Sequence, residues 1–493
     1  MCEKQREGAV SLKSSSNVEL KQRFGLMNGI SLIVSTIVGS GIFLSPSVVQ
    51  KCVGSAGMAL IVWVLSGFIS MMGALCYVEL GMTIPKSGGN YAYIREIFGS
   101  CLGFVRGWVS VLIIEPVVCA LISKVSAEYL LKPWFLTCSP PQTAINLIAV
   151  CICLCIVAMN SINIDLANKI NSYLSYSKIV AMLLVVVIGM KKFIESGFEG
   201  GALEDPWQTP EKTVLAGKPF TFQSIIFGIY NGVYSYVGWD CLNYMNEEIK
   251  NPKKNLPYAI YIALPLITVI YIMVNVAYLT VLTSDEMTES NAVAITFIAK
   301  TMGREWTYVM SVLVFLSTFG TVNAVFNFTS RMYFTVAREK QFPTYFSMVS
   351  PDHLTPIPSL LLLCCMTMMY MGWNNIGLLI NYYSFIYWLT VAIAVTGTCV
   401  WRFNRPDMDR PIKFPVWLSA VFAAICYLLV LAQFIYDTGN AMIGAAILVS
   451  GFPVYFFFFW KDSKYVPDFL HKLNESGTRF MQKLCPVVVT KQD

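Results

Sequence analysis

Two short polar clusters interrupt apolar stretches of this chain, and each is built around glycine. The first reads Thr36-Ile-Val-Gly-Ser-Gly-Ile-Phe43, with Gly39 and Gly41 flanking Ser40. The second reads Tyr234-Ser-Tyr-Val-Gly-Trp-Asp-Cys-Leu-Asn243, with Gly238 two residues before Asp240. Glycine weakens a helix. A break frees backbone amides at the start of one half-helix and carbonyls at the end of the other. Free amides suit a carboxylate, and free carbonyls suit an ammonium or Na⁺. The competing explanation for Gly39 and Gly41 is a small-residue face for close helix packing. The second interruption weighs against it. Paired breaks in two halves of a chain point to an inverted repeat with a binding site between the halves.

Three ionisable residues fall inside apolar runs: Glu115 (followed by Pro116), Lys178 and Asp240. Charge within a bilayer is costly and marks function by default. Glu115 is central in its run, where snorkelling to an interface is poor. Asp240 either faces a cavity or caps the second half-helix. Lys178 lies nearer a run's end, within reach of an interface, and reads as a structural cation. The histidines, His353 and His471, both lie in polar segments, so a zinc site or a histidine-based centre is not expected. No cysteine spacing resembles a metal site. No nucleophile–base set stands out, and neither a cofactor nor an enzymatic activity is expected.

These residues need a particular solvent around their scaffold. Of 493 residues, 56% are hydrophobic and 13% charged, against about 25% charged in an ordinary soluble domain. So much apolar sequence would leave large exposed patches in water; in lipid it forms the outward faces of helices. The net charge of +6 is modest and is no nucleic-acid footprint. The first 24 residues are polar, so no cleavable leader is expected.

A span needs about 20 mostly apolar residues. Such runs occur at 26–44, 58–80, 102–131, 144–160, 170–190 and 225–245, then at 259–282, 306–333, 359–371, 376–401, 416–434 and 441–460. The fold class is therefore an all-α membrane protein of about twelve spans. With the N-terminus in the cytoplasm, about two dozen Lys/Arg fall inside and about eight outside. Both termini are then cytoplasmic. The sequons at Asn327 and Asn474 fall in a span and inside, and are expected to be unused. Residues 464–484 read either as an amphipathic helix on the inner surface or as a solvated tail. Most of the fifteen cysteines are small apolar residues of spans, while Cys52 and Cys138 are expected in outer loops.

The order of several motifs resembles the light chains of heteromeric amino-acid transporters, in the APC superfamily. They are Thr36–Phe43, Pro85-Lys-Ser-Gly-Gly-Asn-Tyr-Ala-Tyr93, Gly238-Trp-Asp-Cys-Leu-Asn-Tyr244, Asn251-Pro-Lys-Lys-Asn-Leu-Pro257, Asn291-Ala-Val-Ala-Ile-Thr-Phe297 and Asn381-Tyr-Tyr-Ser-Phe385. The likeness runs from about Gly25 to Trp460. Leu112-Ile-Ile-Glu-Pro116 and Gly-Trp-Asp look most like the y⁺L type, which exchanges neutral and cationic amino acids. The resemblance implies a LeuT-like fold of two inverted five-span repeats plus two helices. The expected divisions are an inner tail 1–24, repeats 25–190 and 225–401 around an outer loop 191–224, final spans 402–460 and an inner tail 461–493.

The resemblance further implies obligate exchange of amino acids across the plasma membrane. The Ser40 and Gly41 amides would hold the substrate carboxylate. The Ile37 carbonyl, with those of Tyr234 and Val237, would take the α-amino group. Tyr234 would be the aromatic gate, and Asp240, Glu115 and Tyr387 would line the side-chain pocket. Lys178 matches a lysine that stands where sodium-driven relatives place Na⁺. Val237 departs from the pattern, since y⁺L types carry Ser there, which counts against cationic substrates. Glu115 counts for them and against anions. Neutral amino acids come first in this reading and cationic second. Cys138 stands where light chains bond a single-span glycoprotein heavy chain; a free thiol or a bridge to Cys52 are the alternatives. The rival functions are an amino-acid sensor with little flux and a proton-coupled symporter.

Overall fold

A chain this apolar must satisfy its backbone within each segment, because lipid offers no hydrogen bonds. The computed structural model does so with helices throughout. It describes residues 24–135, 140–162, 164–208, 221–290, 292–351, 355–373, 376–459, 468–485 and 487–489. The first half contains α1 (Leu26–Ile37), α2 (Gly41–Val53), α3 (Ala56–Thr83), α4 (Asn90–Phe98), α5 (Ser100–Val109), α6 (Glu115–Leu131), α7 (Gln142–Ile162) and α8 (Ile164–Ser196). The second contains α9 (Phe222–Tyr234), α10 (Pro252–Val281), α11 (Ser284–Glu289), α12 (Val293–Met302), α13 (Glu305–Arg338), α14 (Ile357–Met371) and α15 (Ile376–Asn404). Then come α16 (Val416–Tyr436), α17 (Thr438–Phe458) and α18 (Asp468–Leu484).

Among the described residues, nine helices are long and apolar enough to cross a bilayer, and the bent pair α1–α2 adds a tenth. Two further expected spans fall short on length. Helix α14 has 15 residues, and α9 stops after 13, at Tyr234. The protein is an all-α membrane protein.

Local sequence sets several helix ends. Ser55 Oγ accepts from the Met58 amide at the start of α3, and Thr221 caps α9 through the Ser224 amide. Thr283 and Glu286 form a reciprocal capping box on α11, which satisfies two amides left bare by helix geometry. Gly54 ends α2 in the left-handed region at φ 79°, which only glycine adopts cheaply.

The first span differs from its expected extent of 26–44. It bends by 44° after Ile37 and continues as α2 to Val53. Cys52, expected in an outer loop, is therefore a buried free thiol in the last turn of α2. Apolar neighbours at Val49 and Val53 extend the buried face past the polar Ser45-Pro-Ser47. Cys138 lies outside the described residues.

The tail forms a helix, α18, and its Asn474 brackets Thr344: Oδ1 accepts from the Thr344 amide at 2.9 Å. Val488–Val489 then pairs antiparallel with Met348–Val349. The tail is thus tied to the connection between α13 and α14.

Candidate functional site

The breaks of the first and sixth spans lie against each other. At the first, α1 ends at Ile37 and α2 begins at Gly41. The Phe43 and Leu44 amides return to the Ser40 carbonyl at 3.2 and 3.0 Å. The amides of Ser40, Gly41 and Ile42 precede that first bonded turn and have no acceptor among the described residues. They are the orphan donors of a helix N-terminus, carrying its positive partial charge.

At the sixth span, α9 gives way to turns over 235–240, then to a 3₁₀ segment, Cys241–Glu248. Gly238 takes φ +113°. The turns consume their own carbonyls: Tyr234 O accepts from Val237 N, and Gly238 O from Cys241 N, both at 3.2 Å.

Glycine lets the two breaks touch. A Cβ on Gly41 would sit 2.6 Å from Ser235 Cα, and one on Gly238 would sit 2.5 Å from Thr36 Cγ2. The packing and helix-break explanations of the Gly-Ser-Gly cluster therefore hold together: the same glycines interrupt the helix and admit its neighbour.

The carbonyls freed at the end of α1 are met from other helices. Lys178 Nζ, fully buried on α8, donates to Ser35 O and to Thr321 Oγ1 at 2.7 Å. The Thr321 hydroxyl lies 3.1 Å from Ser35 O and 3.2 Å from Val38 O. Ile37 O accepts from the Gly39 amide at 2.8 Å and from the Tyr271 hydroxyl at 3.0 Å. Tyr271 also reaches Ser235 O at 3.3 Å. Its ring is held edge-on by Trp63 and tilted against Tyr236, so one side chain of α10 pins both breaks.

In the third span, residues Ser110–Ile114 form a π-helical turn just before Glu115. Pro116 has no amide to give Leu112, its partner one α-turn back. The Tyr370 hydroxyl donates to Leu112 O instead, at 2.6 Å, and Tyr333 donates to Ser110 O at 3.3 Å. Such bulges recur at functional sites. Glu115 leaves this turn buried, with Oε2 accepting from Thr329 at 3.3 Å and Oε1 3.9 Å from Arg106 Nη2.

Between these elements is a cavity with about 620 Å³ of empty space, its mouth included. Ile37, Ser40 and Gly41 line it from the first break, and Tyr234, Val237 and Asp240 from the second. Glu115 and Tyr387 complete the set expected from sequence. Lys178 is not in the lining and sits behind the first break. Asp240 Oδ2 and the Tyr387 hydroxyl are buried without a hydrogen-bond partner among the described residues. Tyr383 stacks on Tyr387 and meets Tyr234 edge-on, joining them into one aromatic wall.

The profile of the amino-acid permease family matches residues 24–459. The chain belongs to that family. This permease is 38% identical over 479 residues to the Asc-type amino acid transporter 1 of Mus musculus, covering 96% of the chain and 88% of that protein. It is 37% identical over 473 residues to the Large neutral amino acids transporter small subunit 2 of Homo sapiens, covering 96% and 86%. It is 36% identical over 472 residues to the Cystine/glutamate transporter of Homo sapiens, covering 96% and 91%.

Sequence reasoning passed over several buried groups of the permease. Tyr271 and Thr321 looked like ordinary span residues, and nothing local marks them. Arg106 lies close to the start of its expected span, where a basic residue reads as an interfacial anchor. Glu79 lies near the end of its own, yet is buried and bonded to Arg402 at 2.6 Å. Glu248, at the end of the 3₁₀ segment, forms a buried ion pair with Arg331.

Proposed function

We propose that this permease is an exchanger of L-amino acids, neutral first and cationic second, working by alternating access in the plasma membrane. One observation carries the reading: bare amides of the α2 N-terminus and two buried carboxylates, Glu115 and Asp240, line the same cavity. The Ser40 and Gly41 amides would bind the α-carboxylate. The α-ammonium would take the Ile37 carbonyl in place of the Tyr271 hydroxyl, beside the carbonyls of Tyr234 and Val237. Tyr234 would gate the cavity. Glu115, Asp240 and Tyr387 would meet the side chain. Lys178 would supply the fixed cation behind the first break, where a sodium-driven carrier would need Na⁺.

By analogy with relatives named as small subunits, the chain would work as the light chain of a heterodimer. Cys138 would bond a single-span glycoprotein heavy chain on the outer face, with both termini in the cytoplasm. Uptake into vesicles of purified protein tests the reading. Vesicles preloaded with amino acid should take up labelled leucine, and empty ones should not. Uptake into empty vesicles that follows a proton gradient would make the protein a symporter, and no flux in either case would make it a sensor. Glu115→Arg should suppress arginine uptake and relatively spare leucine. Unchanged arginine uptake in both Glu115→Arg and Asp240→Asn would remove the charge-selecting role.

A further inference from the structure

Arg106 is 1% exposed and stands just outside the cavity lining. Its Nη2 lies 3.9 Å from Glu115 Oε1 and donates to the Tyr244 hydroxyl at 3.3 Å. Its Nε and Nη1 have no partner among the described residues. Asp240 lines the same cavity as Glu115 and as Tyr244, to which Arg106 donates. Lys178, a second buried cation near the breaks, is spent on Ser35 and Thr321.

One guanidinium thus stands beside Glu115 and behind a cavity that a second buried carboxylate, Asp240, also lines. Arginine stays protonated in proteins. With both carboxylates ionised, the cluster carries one surplus negative charge, and burial makes that charge count. The contact to Glu115 is loose, since a fully satisfied pair would be bidentate and shorter.

We infer that Arg106 sets the charge specificity of the cavity, as a resident cation that competes with the substrate side chain for Glu115 and Asp240. The inference rests on the exchange function proposed above. It makes Arg106 a specificity-determining residue that acts through the two carboxylates and never touches the substrate. A neutral side chain is tolerated because the guanidinium already offsets one carboxylate. A cationic side chain is welcomed only by the charge that remains.

The test is competition between arginine and leucine for exchange into preloaded vesicles of the full chain. Arg106→Gln should raise the arginine-to-leucine ratio by about tenfold, because the cluster goes from one surplus negative charge to two. Glu115→Gln should lower it by about as much. The double variant Arg106→Gln/Glu115→Gln restores the wild-type balance and should restore the wild-type ratio. Arg106→Lys keeps the charge and should keep the ratio. A purely structural role for Arg106 predicts otherwise, with the double variant no closer to wild type than Glu115→Gln. That result overturns the inference, even if Arg106→Gln alone does not fold. So does an unchanged ratio in a folded Arg106→Gln. Wild-type vesicles that exchange no amino acid would overturn the proposed function itself. Wild-type exchange with a failed charge pattern overturns only the role of Arg106.

Discussion

The two helix breaks are built from similar sequence, a glycine amid small and polar residues, yet they solve the same backbone problem differently. The first leaves its carbonyls to distant side chains: Lys178 and Thr321 at Ser35, and Tyr271 at Ile37. Its amides remain bare. The second closes on itself, with tight turns that use the carbonyls of Tyr234 and Gly238. It contributes a side chain instead, the carboxylate of Asp240. On the proposed function, the first break holds the α-carboxylate and shares the α-ammonium with carbonyls of the second, while only the second adds a side chain, Asp240, to meet what distinguishes amino acids. A backbone site suits the constant part of a ligand, because main-chain groups do not vary with side-chain substitution.

This contrast can be broken most sharply at the contact between the breaks. Gly41→Ala puts a Cβ 2.6 Å from Ser235 Cα, and backbone cannot swing away as a flexible side chain would. Exchange should be abolished, with about 1–3 kcal/mol of stability lost to overpacking. Gly29→Ala, whose Cβ would make an ordinary 3.4 Å contact, should keep exchange. Uptake by surface-expressed Gly41→Ala at the wild-type rate would remove the close approach from the mechanism.

The next effect tests the dependence of the first break on outside help. Lys178→Met strips the ammonium from Ser35 O and Thr321 Oγ1, and hydrogen bonds to a charged group contribute about 1.5–3 kcal/mol. Thermal unfolding of the purified protein should shift down clearly, and exchange should fall with it. If Lys178→Met unfolds at the wild-type temperature, the first break holds itself together as the second does, and the contrast fails.

A smaller effect sharpens the comparison at the one residue that serves both breaks. Tyr271→Phe keeps the ring against Trp63 and Tyr236 and removes only the hydroxyl. A neutral hydrogen bond contributes about 0.5–1.5 kcal/mol, so the half-saturating leucine concentration should change by about two- to tenfold. An unaltered value would mean that the hydroxyl is incidental to the site.

The smallest effect lies outside both breaks. On the heavy-chain proposal, Cys138→Ser should remove a high-mass band from a non-reducing gel and only partly reduce flux, because a disulfide merely tethers the complex. Cys52→Ser should leave that band in place, since Cys52 is buried in α2. A reducible complex that survives Cys138→Ser would assign the tether to another cysteine.

The sequence by itself determined the all-α membrane class, the two glycine breaks and the buried carboxylates. Each of these is local: apolar length selects a bilayer helix, glycine interrupts it, and a charge in an apolar run has no cheap place to go. It misjudged the end of the first span, because the apolar run stops at Leu44 while tertiary contacts bury the polar Ser45-Pro-Ser47 and carry the helix on to Val53. The 13-residue α9 likewise shows that a run of apolar sequence does not reveal where its helix stops. Only the tertiary structure decided which groups complete the site. Lys178 reaches Ser35 across 143 residues, Tyr271 reaches Ile37 across 234, and Thr321 reaches Ser35 across 286. A freed carbonyl must be met by some donor, but sequence cannot say which one. Any hydroxyl or ammonium of the bundle would serve chemically, and helix packing alone chooses among them.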